Sequence, residues 1–252
     1  MSRGRAVTVD GLPGSTLARR WGVPSCVVAR EIGSALDEVH ALGAAGAPAG
    51  TVVLAESQTA GRGRDGRTWH SPPGGIWLAL LLRPRTATLG TMSIRAGLIL
   101  ADVVDELLGA PQARLKWPND VLLHERKLAG VLCEGRWQGD ALQWLAVGIG
   151  VNVVNEIPAA LHRTAIALAE VLPGVCRLDV LDRLVPPLTL LGTSGDRLSE
   201  RECAAFEARD WLRDRVLRGP VAGRAAGMLP DGALLVQQAA GMTAVREGHV
   251  ET

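Results

Sequence analysis

Leu115-Lys-Trp-Pro-Asn-Asp-Val-Leu-Leu-His-Glu-Arg-Lys-Leu-Ala-Gly130 contains both lysines of the chain, Lys116 and Lys127, although Lys and Arg together number 27. Everywhere else positive charge is carried by arginine. A lysine ammonium is a compact charge whose pKa follows its surroundings, whereas a guanidinium is a planar fork that stays charged. Two lysines kept so close together mark this segment for chemistry. Trp117-Pro-Asn-Asp120 reads as a tight polar turn between apolar runs, where a rigid scaffold can present side chains. Asp120 is open to two readings: a cation ligand or proton acceptor, or a turn carboxylate that accepts backbone hydrogen bonds. Lys127 precedes strand-like Leu128–Glu134 and is placed to project at a strand start.

Outward from this segment, strand character predicts β-structure at Cys26–Ile32, Thr51–Glu56, Ile76–Arg83, Val121–Leu123 and Leu142–Val154. Ser34 followed by Asp37 predicts a helix start running through Leu42. Ile94, Leu98, Ala101, Val104 and Leu108 share one helical face, with Gly109 and Pro111 as stop signals. Leu178–Leu191 predicts a helix that Pro186-Pro187 must break or kink. Beyond Arg215, short apolar pieces alternate with turn residues such as Pro230-Asp231-Gly232, which predicts a small antiparallel barrel. Residues 1–24 read as a tail, 25–204 as the main catalytic domain and 205–252 as a C-terminal appendage.

Of the 252 residues, 47% are hydrophobic and 21% charged, which is a globular composition, and the formal net charge of +1 offers no general attraction to nucleic acid or anionic membrane. The four cysteines lie at neither zinc-finger nor Cys-x-x-Cys spacing, so buried free thiols are expected. No apolar run has signal-peptide or membrane-spanning length, and the expectation is a soluble, cytoplasmic chain.

Two further stretches carry potential chemistry. In Glu56-Ser-Gln-Thr-Ala-Gly-Arg-Gly-Arg-Asp-Gly-Arg-Thr-Trp-His-Ser-Pro-Pro-Gly-Gly75, a Gly-rich loop leaves a strand. Its backbone N–H groups can approach an anion while Arg62, Arg64 and Arg67 add phosphate-binding forks, and Trp69 can cover a flat ligand. An exposed flexible loop or an arginine–glycine nucleic-acid contact is equally open on this stretch alone. In Val147-Gly-Ile-Gly-Val-Asn152, two glycines inside a strand mark a bulge or a close approach. Asn152 has the donor and acceptor an adenine edge needs, and is also an ordinary strand-ending residue.

Taken together and in this order, Gln58 with Ala60–Trp69, Lys116–Asp120, Arg126–Leu132 and Gly148–Asn152 resemble the biotin–protein ligase family over residues 25–252. The resemblance implies an α+β catalytic domain, a mixed β-sheet with packed helices, followed by an SH3-like β-barrel. It implies ligation of biotin to a lysine of a biotin carboxyl carrier protein domain through biotinyl-5'-AMP, with ATP as substrate and Mg2+ as the accompanying cofactor. On its pattern Ser34, Gln58, Gly61, Arg62, Trp69, Lys127, Gly130, Leu132, Gly148 and Gly150 would meet biotin. Arg64, Arg67, Trp69, Lys116, Asn119 and Asn152 would meet the nucleotide. Lys127, Arg62, Arg64 and Asp120 would be catalytic, with Asp120 assisting deprotonation of the acceptor amine or holding Mg2+; no other metal ligand is implied. The family's usual Ser-Thr-Asn segment corresponds to Ser34-Ala-Leu36, where loss of one side-chain hydrogen bond would weaken binding by about 1 kcal/mol.

The alternative on the same scaffold is a lipoate or octanoate ligase or transferase. Residues 1–24 are too short for a winged helix, so direct DNA binding is not expected, while a homodimer is compatible with the pattern. Near-neutral charge argues against an RNA-binding module.

Overall fold

The computed structural model describes residues 7–86, 88–218, 221–248 and 250–252. A short hairpin, β1 (Thr8–Val9) and β2 (Leu12–Pro13), leads into helix α1 (Gly14–Trp21). Then follow β3 (Cys26–Ile32), α2 (Ala35–Ala44), β4 (Val52–Gln58), β5 (Ile76–Leu82), α3 (Leu89–Leu108), β6 (Arg114–Lys116), β7 (Asp120–Leu123), β8 (Arg126–Gln138) and β9 (Ala141–Val151). Helices α4 (Arg177–Thr189) and α5 (Glu200–Arg209) precede β10 (Val216–Leu217), β11 (Gly223–Met228), β12 (Leu234–Gln238) and β13 (Gly241–Val245).

The central sheet has seven strands in the order β3-β4-β5-β9-β8-β7-β6. Only β3 and β4 run parallel; the other pairings are antiparallel. Side chains alternate faces along a strand, and that alternation divides the molecule. Leu78, Leu80 and Leu82 of β5, Val147 and Ile149 of β9 and Val131 of β8 enter the larger core, which α1, α3 and α4 cover. On the opposite face Val53, Ala79, Leu81 and Ala146 pack under α2 through Ala35, Leu36 and Val39. Strand β5 is buried at every residue because both of its faces are covered, which explains its unbroken apolar run.

The expected tail is folded from Thr8 onward. Leu17 is wholly buried and Trp21 nearly so, the Trp21 indole donates to Asp182 on α4 (2.8 Å), and Arg20 pairs with the same carboxylate. Gly and Pro punctuation concealed this helix: Gly14 opens it after Pro13, and Gly22, with φ of 67°, closes it in the left-handed region. A second correction concerns α4, which runs through Pro186 and Pro187. Both prolines sit in its last turn and forfeit two backbone donors there, a loss that buried Leu184, Val185 and Leu188 offset by anchoring that turn. Helix α5 was not anticipated, although Ser199 and Glu202 form its capping box.

The C-terminal strands form an antiparallel sheet in the order β10-β11-β12-β13 that remains open. Leu217, Ala225, Leu234 and Val236 from it join the larger core. All four cysteines are free, and burial pushes the Cys26 and Cys133 thiols up to about 12. Among the described residues no helix is long and apolar enough to cross a membrane.

Leu17→Ala should lower unfolding free energy by about 2–5 kcal/mol in urea titration, as for other core truncations; a residue in a loose tail would give no change.

Candidate active site

The floor of the site comes from the sheet face that α2 only partly covers. Gly130 and Leu132 on β8 lie opposite Gly150 and Gly148 on β9 in register, so one patch of sheet is nearly without side chains. A Cβ at Gly148 would press on the Leu36 side chain, and one at Gly150 or Gly130 would press on the Trp69 indole. These glycines are therefore close-approach positions rather than bulges. Trp69 lies across them and Leu36 bounds them, forming a cleft that opens to solvent.

Above the floor, the Gly/Arg loop is an ordered hairpin. Trp69 N–H donates to Gly61 C=O (2.9 Å) and Gly63 N–H to Arg67 C=O (2.8 Å), with a bridge between Arg62 and Thr68. Its tip turns through Asp65 and Gly66 at φ of 56° and 70°, conformations that Asp tolerates and Gly adopts freely. Arg64 and Arg67 ride on this tip and line the cleft.

The opposite wall is the segment that holds the two lysines. The Lys127 backbone is clamped between strands: its N–H donates to Thr164 C=O (2.7 Å) and its C=O accepts from Ile166 N–H (3.0 Å). Its Nζ reaches Asp120 Oδ1 at 2.7 Å and stands 4.9 Å from the Trp69 ring centroid. A bulge between Val121 and Leu122 shifts the β7–β8 register between these two residues. Asn119 lines the cleft, yet its Nδ2 donates to Val131 C=O (2.7 Å) and so pins the turn to β8. Trp117 is a core residue whose indole donates to Gly232 C=O (2.8 Å), tying this segment to the C-terminal sheet; the Trp117–Pro118 bond is cis.

At the third wall, Ser34 is buried at the N-terminus of α2. The Gln58 side chain does the capping: Oε1 accepts from Ala35 N–H (2.8 Å) and Nε2 donates to Ser71 Oγ (2.8 Å). Ser71 in turn donates to Trp69 C=O (3.1 Å), so Gln58 links the helix start to the base of the hairpin.

Thus Ser34, Gln58, Arg62, Arg64, Arg67, Trp69, Asn119, Asp120, Lys127, Gly130, Leu132, Gly148 and Gly150 converge on one cleft. Three expected residues do not line it. Gly61 is buried beneath the hairpin, where a Cβ would meet Trp69 C=O and Ser71. Lys116 is half-buried with its Nζ 5.2 Å from the Trp211 ring centroid, and burial holds its pKa below the usual lysine value. Asn152 is buried and accepts from Asn155 Nδ2 (3.1 Å). Its backbone N–H still donates to Leu128 C=O (3.0 Å), so the ladder continues past Val151, and it is the Asn155 partner that holds its side chain.

Sequence reasoning missed Asp37, His40 and Glu134, which bind Arg62 or one another beside the cleft. The signal was present: Asp37 and His40 lie one turn apart on α2, and Glu134 continues the Gly130, Leu132 alternation.

A glycine floor that the Trp69 indole crosses, an arginine-tipped hairpin above it and a lysine at its edge give a cleft with the shape and charge for a flat ligand that carries an anion. The Biotin/lipoate A/B protein ligase family model matches residues 38–152. The bifunctional ligase/repressor BirA of Bacillus subtilis is 30% identical over 234 residues, 84% of this chain and 69% of that protein. The biotin–[acetyl-CoA-carboxylase] ligase of Paracoccus denitrificans is 39% identical over 154 residues, 60% of this chain and 56% of its own length. The chain belongs to this ligase family. Among solved structures, biotin protein ligase from Aquifex aeolicus in complex with biotin and ATP superposes with a TM-score of 0.73 at 28% identity, covering 90% of this chain and 97% of that one.

Gly150→Ala should drive the Trp69 indole off the floor. Near-UV circular dichroism is expected to change while stability falls by only about 1 kcal/mol; an unchanged spectrum would show that the ring does not rest there.

Proposed function

We propose that this chain is a biotin–protein ligase that forms biotinyl-5'-AMP from biotin and ATP and passes the biotinyl group to a lysine of a carboxyl carrier domain. The observation that carries the reading is Lys127, held at the cleft edge beside Asp120 and over the Trp69 ring. Its support is family membership and the likeness to a ligase that binds biotin and ATP.

In the first half-reaction the biotin carboxylate attacks the α-phosphorus of ATP, and pyrophosphate leaves. Two anions must meet, so fixed positive charge at the meeting point lowers the barrier. Lys127 supplies a point charge there, and Arg64 and Arg67 on the hairpin tip add forks for the phosphates. The flat ligand lies in the cleft beside the Trp69 indole, which rests on Gly130 and Gly150, and Ser34 and Gln58 face its polar ring at the start of α2. In the second half-reaction the neutral amine of the acceptor lysine attacks the mixed anhydride carbonyl and AMP leaves. Asp120 is the group we assign to receive the amine proton.

Among the described residues no cluster of three His, Cys, Asp or Glu could hold a metal ion, and Asp120 is already paired with Lys127. The side chains do not form a resident metal cage; Mg2+ belongs to the phosphates and enters with ATP as substrate. We also infer that the open four-stranded sheet at the C-terminus is the counterpart of an SH3-like barrel. It reaches the site through the Trp117–Gly232 hydrogen bond.

Incubation with ATP, Mg2+, biotin and a carrier domain should add one biotinyl group to the carrier, read by mass spectrometry, and calorimetry should favour biotin over lipoate and octanoate. Preference for lipoate or octanoate would move the chain to the other branch of the family. Lys127→Ala should slow pyrophosphate release at least about 100-fold with the fold intact. Lys127→Arg should restore only part of the rate, because a planar fork does not fit a point-charge position.

A further inference from the structure

Each guanidinium nitrogen of Arg62 already meets a carboxylate within the protein. Its Nε donates to Glu134 Oε1 (3.0 Å) and its Nη2 to Glu134 Oε2 (2.9 Å), while Nη1 pairs with Asp37 Oδ1 (2.8 Å). With its charge balanced by two carboxylates, this guanidinium is turned toward the protein. Its place at the hairpin base separates Arg62 from Arg64 and Arg67, which ride on the tip.

The carboxylate that holds Arg62 is itself oriented. Trp144 Nε1–H, which can only donate, bonds to His40 Nδ1 (3.0 Å). Neutral His40 must then carry its proton on Nε2 and donate to Glu134 Oε2 (3.0 Å). Trp144 has room beside α2 because residue 43 is glycine, where a Cβ would collide with the indole. The hydrogen bonds thus converge on Glu134 of β8, donated from one side by Trp144 of β9 through His40 of α2 and from the other by Arg62 of the hairpin. Burial alone would raise the Glu134 carboxyl, but the bonds from Arg62 and His40 hold it below the ordinary value.

We propose that Glu134, oriented by His40, is a positioning residue that clasps Arg62 and thereby holds the Gly61–Trp69 hairpin closed over the cleft. Arg62 is the staple at the hairpin base, and Arg64 and Arg67 are the arginines that meet the ligand. The clasp rests on the ligase reading for its consequence: a closed hairpin keeps water from the acyl-adenylate until the acceptor amine arrives.

The test uses the full chain and the variants Glu134→Gln and His40→Leu. Hydrogen exchange without ligand reads the hairpin directly, at the Gly63 and Trp69 amides that close it. Both variants should exchange about tenfold faster there, with the melting temperature of the whole chain nearly unchanged. With ATP, biotin and carrier, AMP released per biotinylated carrier should rise about fivefold in Glu134→Gln, while the pyrophosphate release rate stays within about twofold. A role confined to stability would move the melting temperature and leave this ratio alone. Arg62→Lys, which cannot bridge two carboxylates, should behave like Glu134→Gln, and the double variant should be no worse than either. Wild-type exchange in both Glu134→Gln and His40→Leu overturns the clasp. So does loss of pyrophosphate release in Arg62→Lys alone, since Arg62 would then be reading the ligand. A wild-type chain that fails to release pyrophosphate from ATP and biotin overturns the ligase reading instead, and the exchange result still decides the clasp.

Discussion

The two-residue alternation of β8 and β9 is the constraint on which the rest of the molecule depends. Each strand sends one set of side chains, Val131 and Cys133 or Val147 and Ile149, into the larger core. That burial locks the register, because a slip of one residue would expose the whole set. Once locked, it also determines what faces the cleft: Gly130 against Gly150 and Leu132 against Gly148. A smooth patch of backbone is costly to hold in a sheet, since glycine contributes no packing and loses the most entropy. Here the opposite face carries that cost, and the hydrophobic core and the ligand floor are two sides of the same hydrogen-bonded ladder.

Around this floor, charge is placed by elements that meet only in three dimensions. Lys127 and Asp120 come from adjacent strands, with the Lys127 backbone clamped from outside by residues 164–166. The hairpin arginines divide by their place: Arg62 is turned inward to Asp37 and Glu134 at the base, while Arg64 and Arg67 sit on the tip. Residues only a few positions apart in one Gly/Arg run thereby acquire different work. The same logic separates the two lysines. Lys127 stands in the cleft, whereas Lys116 is half-buried over Trp211, outside it.

The sequence by itself grouped most of the residues that line the cleft, because its motifs are contiguous stretches whose chemistry follows from residue type. A Gly-rich arginine loop offers donors to an anion, a lysine at a strand start projects a charge, and paired glycines in a strand mark a bulge or a close approach. Strands with covered faces were also legible, as the apolar run of β5 shows. The tertiary structure alone decided which members reach the cleft. Asn152 is held by Asn155 outside the cleft lining, and Gly61 is buried at the hairpin base against Trp69 and Ser71. It alone made a core element of the Gly- and Pro-punctuated stretch around α1, where Leu17 finds burial that local propensity does not announce. It alone joined Asp37, His40, Glu134 and Trp144, which lie on three separate elements. The physical reason is common to these cases: local sequence sets periodicity and chemical type, but burial and ion pairing depend on which distant surface arrives opposite, and only the assembled sheet supplies that.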